Sequence, residues 1–327
     1  MAHSKAPSQT LSPVPPSTPS SDPPSSLGLS PTQLSTFRSD GYLIIPDALS
    51  PAVVTSLLDE THTMLANFSL TDHPMTRFTT GDDTDNKHVG DEYFLTSGDK
   101  IRFFLEEDAI SPTTNKLTTP LPRGVNKIGH ALHVLSPPFR HATLCARNAA
   151  IVRSLGFRAP RVLQSMLICK QPEIGGRVPP HQDSTFLYTK PPSAVGFWYA
   201  LEDASVGNGC LSFARGSHRR VGLGKRFVRK EEGGTGFEKV EEEGRWPEDG
   251  LGYKQEDGSK EGQEEYTLGE VKAGTLVLIH GNLLHKSEKN FSGRSRFIYT
   301  FHVIEGANEY DEKNWLQPGK DGFSQLY

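Results

Sequence analysis

Four residues of this chain have types and spacing that can hold a redox metal. They are His181 and Asp183 in Pro-His-Gln-Asp-Ser, His285 about a hundred residues later, and Arg296 eleven beyond that. Two imidazoles and one carboxylate on one face of a divalent ion leave the opposite face open, the arrangement of non-haem Fe(II) oxygenases. Alternate side chains of a strand share a face, so the spacing predicts that His181 and Asp183 point inward together while Gln182 points away. His285, at the end of the Thr275 to Leu284 segment, is the expected third ligand, and His280, which also closes an apolar strand, is the competing imidazole, read as structural. A lone His-x-Asp is common by chance, and most strand histidines are hydrogen-bonded core residues. The second histidine, followed by an arginine, carries the reading. An arginine fork grips a carboxylate through two parallel charge-assisted hydrogen bonds. Arg296 alternates with Phe297 in an otherwise apolar strand and is the expected anchor for an acidic co-substrate, with Arg294 as the nearest substitute on the same strand face. A surface pairing with a glutamate is the plainer alternative for Arg296.

A chain of 327 residues is ample for one large domain with its own core. A net charge of -4 gives no basic field of the kind that nucleic acid or an anionic membrane attracts. Cys145, Cys169 and Cys210 form neither a C-x-x-C pair nor a dense disulfide pattern, which points to a reducing compartment. No stretch approaches the roughly 18 apolar residues of a membrane span. The Ser/Pro-rich start lacks a signal-peptide core, and the closing Gln325-Leu326-Tyr327 is not a peroxisomal address. The expectation is a soluble cytoplasmic protein with no nucleic-acid or membrane partner.

The elements that must position the quartet follow a disordered tail over residues 1–27 and fill one domain over 28–327. Ser30-Pro31 and Ser50-Pro51 each suit an N-cap followed by a first helical position, predicting helices to about Arg38 and Asn67, the second with Val53, Val54, Leu57, Leu58 and Met64 on its apolar side. Gly41 to Pro46 and Lys100 to Phe104 read as strands, the acidic residues Asp82, Asp83, Asp85, Asp91 and Glu92 as a solvated loop, and His130 to Leu155 as helical. Strands are expected at Arg161–Lys170, Phe186–Thr189, Val195–Leu201, Cys210–Phe213, Thr275–His280 and Ser295–Val303, rich in β-branched and aromatic residues. Short strands without βα alternation indicate a sandwich or barrel. Between Arg219 and Gly269 a glycine-rich, acidic insertion with Glu241-Glu-Glu243 and Glu264-Glu265 is expected to be a partly mobile flap. The basic run Arg219, Arg220, Lys225, Arg226, Arg229 and Lys230 is expected to be a solvated face balancing those glutamates.

The motifs taken together resemble the phytanoyl-CoA dioxygenase family. They are Pro180-His-Gln-Asp-Ser-Thr-Phe-Leu-Tyr-Thr189, Asn208-Gly-Cys-Leu211 with Gly216-Ser-His218, and His285-Lys-Ser-x-x-Asn290 with Arg296. Supporting stretches are Asn126 to His133, Gln164-Ser-Met166, Lys170-Gln-Pro172 and Asn314 to Pro318, so the resemblance runs from about Leu34 to Tyr327. It implies a mainly β chain with flanking helices, a double-stranded β-helix or jelly-roll, cupin-like barrel with a metal in its mouth. It further implies that His181, Asp183 and His285 hold Fe(II), that Arg296 pairs with the distal carboxylate of 2-oxoglutarate, and that Lys127, Met166, Trp198 and Ser287 line the co-substrate pocket. The implied reaction consumes O2 and 2-oxoglutarate, releases succinate and carbon dioxide, and hydroxylates a small molecule. Retention of Asp183 argues against halogenation. The chain departs from the family at Phe213-Ala-Arg215, where a proline is common, and in the acidic insertion.

Overall fold

The computed structural model describes residues 27–77, 90–240 and 264–327. All but the last residue of the expected tail, with Asp82, Asp83, Asp85 and Glu241 to Glu243, lie outside the described residues. Helix α1 (Pro31–Asp40) starts as its sequence dictates. The Ser30 hydroxyl accepts the Gln33 amide while the Gln33 side chain accepts the Ser30 amide. It stops at Gly41, whose φ of 81° is left-handed, and the chain enters β1 (Tyr42–Ile45). Helix α2 (Pro51–Asn67), capped by Ser50, buries Val54, Leu57, Thr61 and Leu65. Val53, expected on that face, flanks the stripe and is exposed. Asp91, expected in a solvated loop, caps α3 (Glu92–Leu95) instead, and β2 (Ile101–Leu105) follows.

The stretch expected to be helical from His130 begins with a strand, β3 (Val125–His130), and then breaks into α4 (Leu132–Leu135), α5 (Pro137–Thr143) and α6 (Ala146–Ser154). Pro137 and Pro138 supply no amide hydrogens, so one continuous helix cannot cross them. The strands that follow are β4 (Pro160–Lys170), β5 (Val178–His181), β6 (Val195–Ala200) and β7 (Leu211–Phe213). Phe186–Thr189 is not a strand: Phe186 ends a single helical turn, α7 (Asp183–Phe186). After α8 (Ser217–Arg220) comes a hairpin of β8 (Lys225–Arg229) and β9 (Thr235–Lys239). The expected flap therefore opens with ordered structure. Strands β10 (Thr267–Gly269), β11 (Leu276–His280), β12 (His285–Ser287), β13 (Arg296–Glu305) and β14 (Ser324–Gln325) complete the chain.

The large sheet has eight strands in the order β1-β11-β6-β13-β4-β3-β2, with β14 added to β4, and the small sheet has four, β10-β7-β12-β5. All the paired strands run antiparallel. A mainly β fold with flanking helices is thus present. The double-stranded β-helix takes the form of two facing sheets, whose hydrogen bonds do not close into one barrel among the described residues.

Period-two alternation divides the large sheet into two faces. Leu167, Phe197, Tyr199, Tyr299 and Phe301 point down into a core with Phe37, Leu57, Phe139 and Val152 of the helices. Burying each large apolar side chain contributes about 2 kcal/mol. The two tyrosine hydroxyls in this core are satisfied, Tyr199 by Asn148 Oδ1 at 2.6 Å and Tyr299 by Thr143 Oγ1 at 2.5 Å. The opposite, even-numbered face of β4, β6 and β13 looks toward the small sheet. No described helix is long and apolar enough to cross a membrane.

Candidate metal centre

Between the two sheets lies a cavity of about 660 Å³. Its floor is the even-numbered face of the large sheet: Gln164, Met166, Ile168 and Lys170 of β4, Gly196 and Trp198 of β6, and Arg296, Thr300 and His302 of β13. Leu211, His285 and Ser287 line it from the small sheet. All eight expected site residues, Lys127, Met166, His181, Asp183, Trp198, His285, Ser287 and Arg296, border this cavity, whereas His280 and Arg294 do not.

His181 ends β5 and His285 opens β12, and the two are direct cross-strand partners with ring centres 4.2 Å apart. His285 thus begins its own strand rather than closing the preceding segment. Asp183 is not on the strand of His181. It opens α7, with its carbonyl accepting the Leu187 amide. The residue between them does not line the cavity: Gln182 is buried, and its amide donates to Val221 O at 3.2 Å and Asn282 O at 2.8 Å. The chain pivots on that side chain, so a strand end followed by a helical turn, rather than strand alternation, brings the carboxylate beside the rings.

Donor atoms of His181, Asp183 and His285 all lie within 4.8 Å of one another. His181 Nδ1 donates to Pro179 O at 2.9 Å, and His285 Nδ1 donates to Leu283 O at 3.0 Å. A carbonyl can only accept, so each Nδ1 carries a hydrogen, and in the neutral ring the lone pair then sits on Nε2. Both Nε2 atoms face Asp183 Oδ1, at 3.7 Å from His181 and 3.8 Å from His285. Burial and the neighbouring His285 push the His181 imidazole down to about 4, which keeps it unprotonated at neutral pH. Burial alone would raise the Asp183 carboxyl, but His302, His285 and His181 hold it well below the usual carboxylate range. An unprotonated His181 beside an ionised Asp183 suits the binding of a divalent ion.

Arg296, 1% exposed, starts β13 at the other end of the cavity floor. Its Nη1 donates to Gly209 O at 2.6 Å, its guanidinium carbon lies 5.6 Å from the Trp198 ring centre, and its Nε has no hydrogen-bond partner. Burial lowers its pKa to about 10, which leaves it charged. A buried guanidinium with a spare donor and no carboxylate bonded to it among the described residues is suited to an anionic ligand. Lys170, its cross-strand neighbour, donates from Nζ to Gly176 O at 2.9 Å, Ser287 Oγ at 3.0 Å and Glu288 O at 2.5 Å. Lys127 on β3 faces Asp183 and Glu106; burial lowers its ammonium to about 7, and those carboxylates oppose the shift. Glu106, raised by burial, accepts from Asn126 Nδ2 at 2.7 Å and from the Gly176 amide at 3.0 Å. Glu106 and Lys170 together fix the loop that leads into β5.

The competing residues have other work. The His280 ring lies 4.6 Å from that of His218, and its Nδ1 accepts the Asn282 amide. Arg294 sits in the exposed turn before β13. The basic run, expected to be solvated, clamps the hairpin. Arg226 bonds Asp311 at 2.5 Å and Glu238 at 3.0 Å, Arg229 donates to Trp315 O and Leu95 O, and Arg220 reaches Glu264 at 2.6 Å. His302, which the motif reading passed over, places Nε2 3.2 Å from Asp183 Oδ2. The alternation that singles out Arg296, followed six residues further along the strand, reaches it.

The sequence profile of the family described as phytanoyl-CoA dioxygenase (PhyH) matches residues 37–298. The phytanoyl-CoA dioxygenase domain-containing protein 1 of Bos taurus is 43% identical over 307 residues, which span 91% of this chain and 99% of that protein. Among solved structures, SnoK, a non-heme alpha ketoglutarate dependent carbocyclase from nogalamycin biosynthesis, is similar with a TM-score of 0.58 at 18% identity, over 94% of this chain and 100% of that one. EctD from S. alaskensis, solved with 2-oxoglutarate and 5-hydroxyectoine, gives 0.54 at 19% identity over 89% of this chain and 81% of its own. At such identities the structural likeness is one of fold. With a profile match over most of its length and a relative identical at more than two positions in five, the chain belongs to the phytanoyl-CoA dioxygenase family.

Proposed function

We propose that the protein is an Fe(II)- and 2-oxoglutarate-dependent dioxygenase that hydroxylates a small molecule, with residues 28–327 as its catalytic domain. One observation carries the reading. The Nε2 atoms of His181 and His285 and Asp183 Oδ1 converge at one place in a cavity whose far end holds the buried, charged Arg296. The donor set suits Fe(II), and the arginine suits the distal carboxylate of a dicarboxylate. When bound, iron with 2-oxoglutarate and O2 supplies an oxidation that releases succinate and carbon dioxide and inserts oxygen into a C–H bond.

The chain's own residues have distinct tasks in this reading. His181, Asp183 and His285 grip the ion from one side and leave the other side to small ligands. Arg296 and the Ser287 hydroxyl, which Lys170 holds in place, bind the far end of the co-substrate and set its distance from the ion. Lys127, Met166 and Trp198 wall its length, and Ile168 and Ile279 of the large sheet with Leu211 of the small sheet keep the lining apolar so that water is excluded. The substrate side is bounded by Phe94, Phe186, Leu187 and Trp315, which suits a molecule with an apolar part.

Adding Fe(II) and 2-oxoglutarate without oxygen should produce a weak visible charge-transfer band, and admitting oxygen should then yield succinate. No band from the intact chain overturns the proposal. A band without succinate, with or without candidate substrates, points instead to a ligand-binding protein that has lost turnover.

A further inference from the structure

The two oxygens of Asp183 have different surroundings. Oδ1 faces the Nε2 atoms of both His181 and His285, while Oδ2 is turned toward β13 and lies 3.2 Å from Nε2 of His302. A carboxylate that binds a metal can only accept hydrogen bonds, so across this 3.2 Å contact His302 Nε2 is the donor. The other ring nitrogen of His302 is buried and has no hydrogen-bond partner. Burying an imidazole for a single polar contact is unfavourable unless that contact is strong, as a hydrogen bond to a carboxylate is. The surroundings are shaped to permit it: a Cβ on Gly196, the cross-strand partner of His302, would lie 3.2 Å from Asp183 Oδ2 and 3.5 Å from His302 Nε2.

We propose that His302 is a positioning residue that occupies Oδ2 of Asp183 and keeps the carboxylate bound to the metal through Oδ1 alone. The inference rests on the metal-centre reading above. A carboxylate binds an ion through one oxygen or through two. Here a second bond would fill a position that the co-substrate or oxygen needs. His302 acts through Asp183 and does not touch the ion.

Mn(II) tests this without turnover, because the relaxation of solvent protons reports how many exchangeable waters the ion keeps. Six positions less three protein ligands leave about three waters in the parent protein. His302→Leu frees Oδ2, so the relaxation enhancement should fall by roughly a third, and the dissociation constant of 2-oxoglutarate for the Mn(II) protein should rise roughly tenfold. His302→Gln, whose amide nitrogen reaches about where Nε2 sits, should restore both. Circular dichroism of the two variants checks that each is folded. Equal relaxation and equal co-substrate affinity in all three proteins overturn the proposal. So does a glutamine variant as impaired as the leucine one, because the ring would then be filling space. Parent protein that binds no Mn(II) at this site overturns the metal-centre reading, and this inference with it.

Discussion

Arg296 buries a full positive charge against one carbonyl oxygen and the face of Trp198. Charged hydrogen bonds contribute about 1.5 kcal/mol or more each, so losing two of them removes about 3 kcal/mol of binding. Arg296→Met is therefore expected to weaken 2-oxoglutarate about 100-fold in a calorimetric titration while Mn(II) affinity stays within a few-fold. Loss of metal binding instead would place the arginine at the ion. The identities of these side chains were open in the sequence because the chemistry resides in residue type: imidazole, carboxylate and guanidinium in that order leave few other uses. The posture of Asp183 was hidden. It depends on β5 ending at His181 and on Gln182 finding two carbonyls contributed by residues 221 and 282, partners that no local pattern names. His302 was hidden for a different reason, since a histidine in an apolar strand reads as core until the carboxylate across from it is placed.

At the scale of elements, the β8–β9 hairpin braces the Phe186 side of the cavity. Phe227 and Phe237 pack on each other at 5.2 Å and on Phe186 at 5.5 and 6.2 Å, and Phe186 lies 6.3 Å from the His181 ring. Phe227→Ala should lower stability in urea by about 3 kcal/mol, as large-to-small core changes do. It should also speed proteolysis within residues 225–239 while leaving 2-oxoglutarate affinity nearly unchanged. An equal loss of co-substrate binding would show that the hairpin governs the whole cavity. Strands β4, β6, β11 and β13 could be read from β-branched and aromatic runs because they are buried on both faces. Strand β3, Val-Asn-Lys-Ile-Gly-His, has no such composition and becomes a strand because β2 and β4 pair with it on either side. The hairpin escaped notice because its cross-strand charges read as a polar loop until Asp311, Leu95 and Trp315 meet them.

At the scale of the whole molecule, burial sets a pH window. His133 and His218 are each pushed from 6.5 to about 4, mainly by burial. The unfolded chain takes up these protons near pH 6.5 while the folded chain refuses them until about 4. Stability is therefore full above 6.5 and declines as pH falls toward 4, by up to about 3 kcal/mol for each ring. The depressed carboxyl of Asp183 loses its contribution only at lower pH, outside that window. The melting temperature of the metal-free protein is expected to fall steadily from pH 6.5 to 4.5, and His133→Asn should make the fall shallower by the share of that one ring. A curve with no slope in this range would mean that these rings protonate freely in the folded state. The strand carrying His181 has a further consequence at this scale. It is the last strand of the small sheet and, among the described residues, pairs with β12 alone. An open mouth built on such an edge invites a second copy of the chain to add its own strand there, the usual first step toward insoluble assemblies. Pro179 and Pro180 lie within that strand and have no amide hydrogen to offer a newcomer. The residues that lead into the first imidazole thus also leave this edge short of the amide donors that an added strand would need.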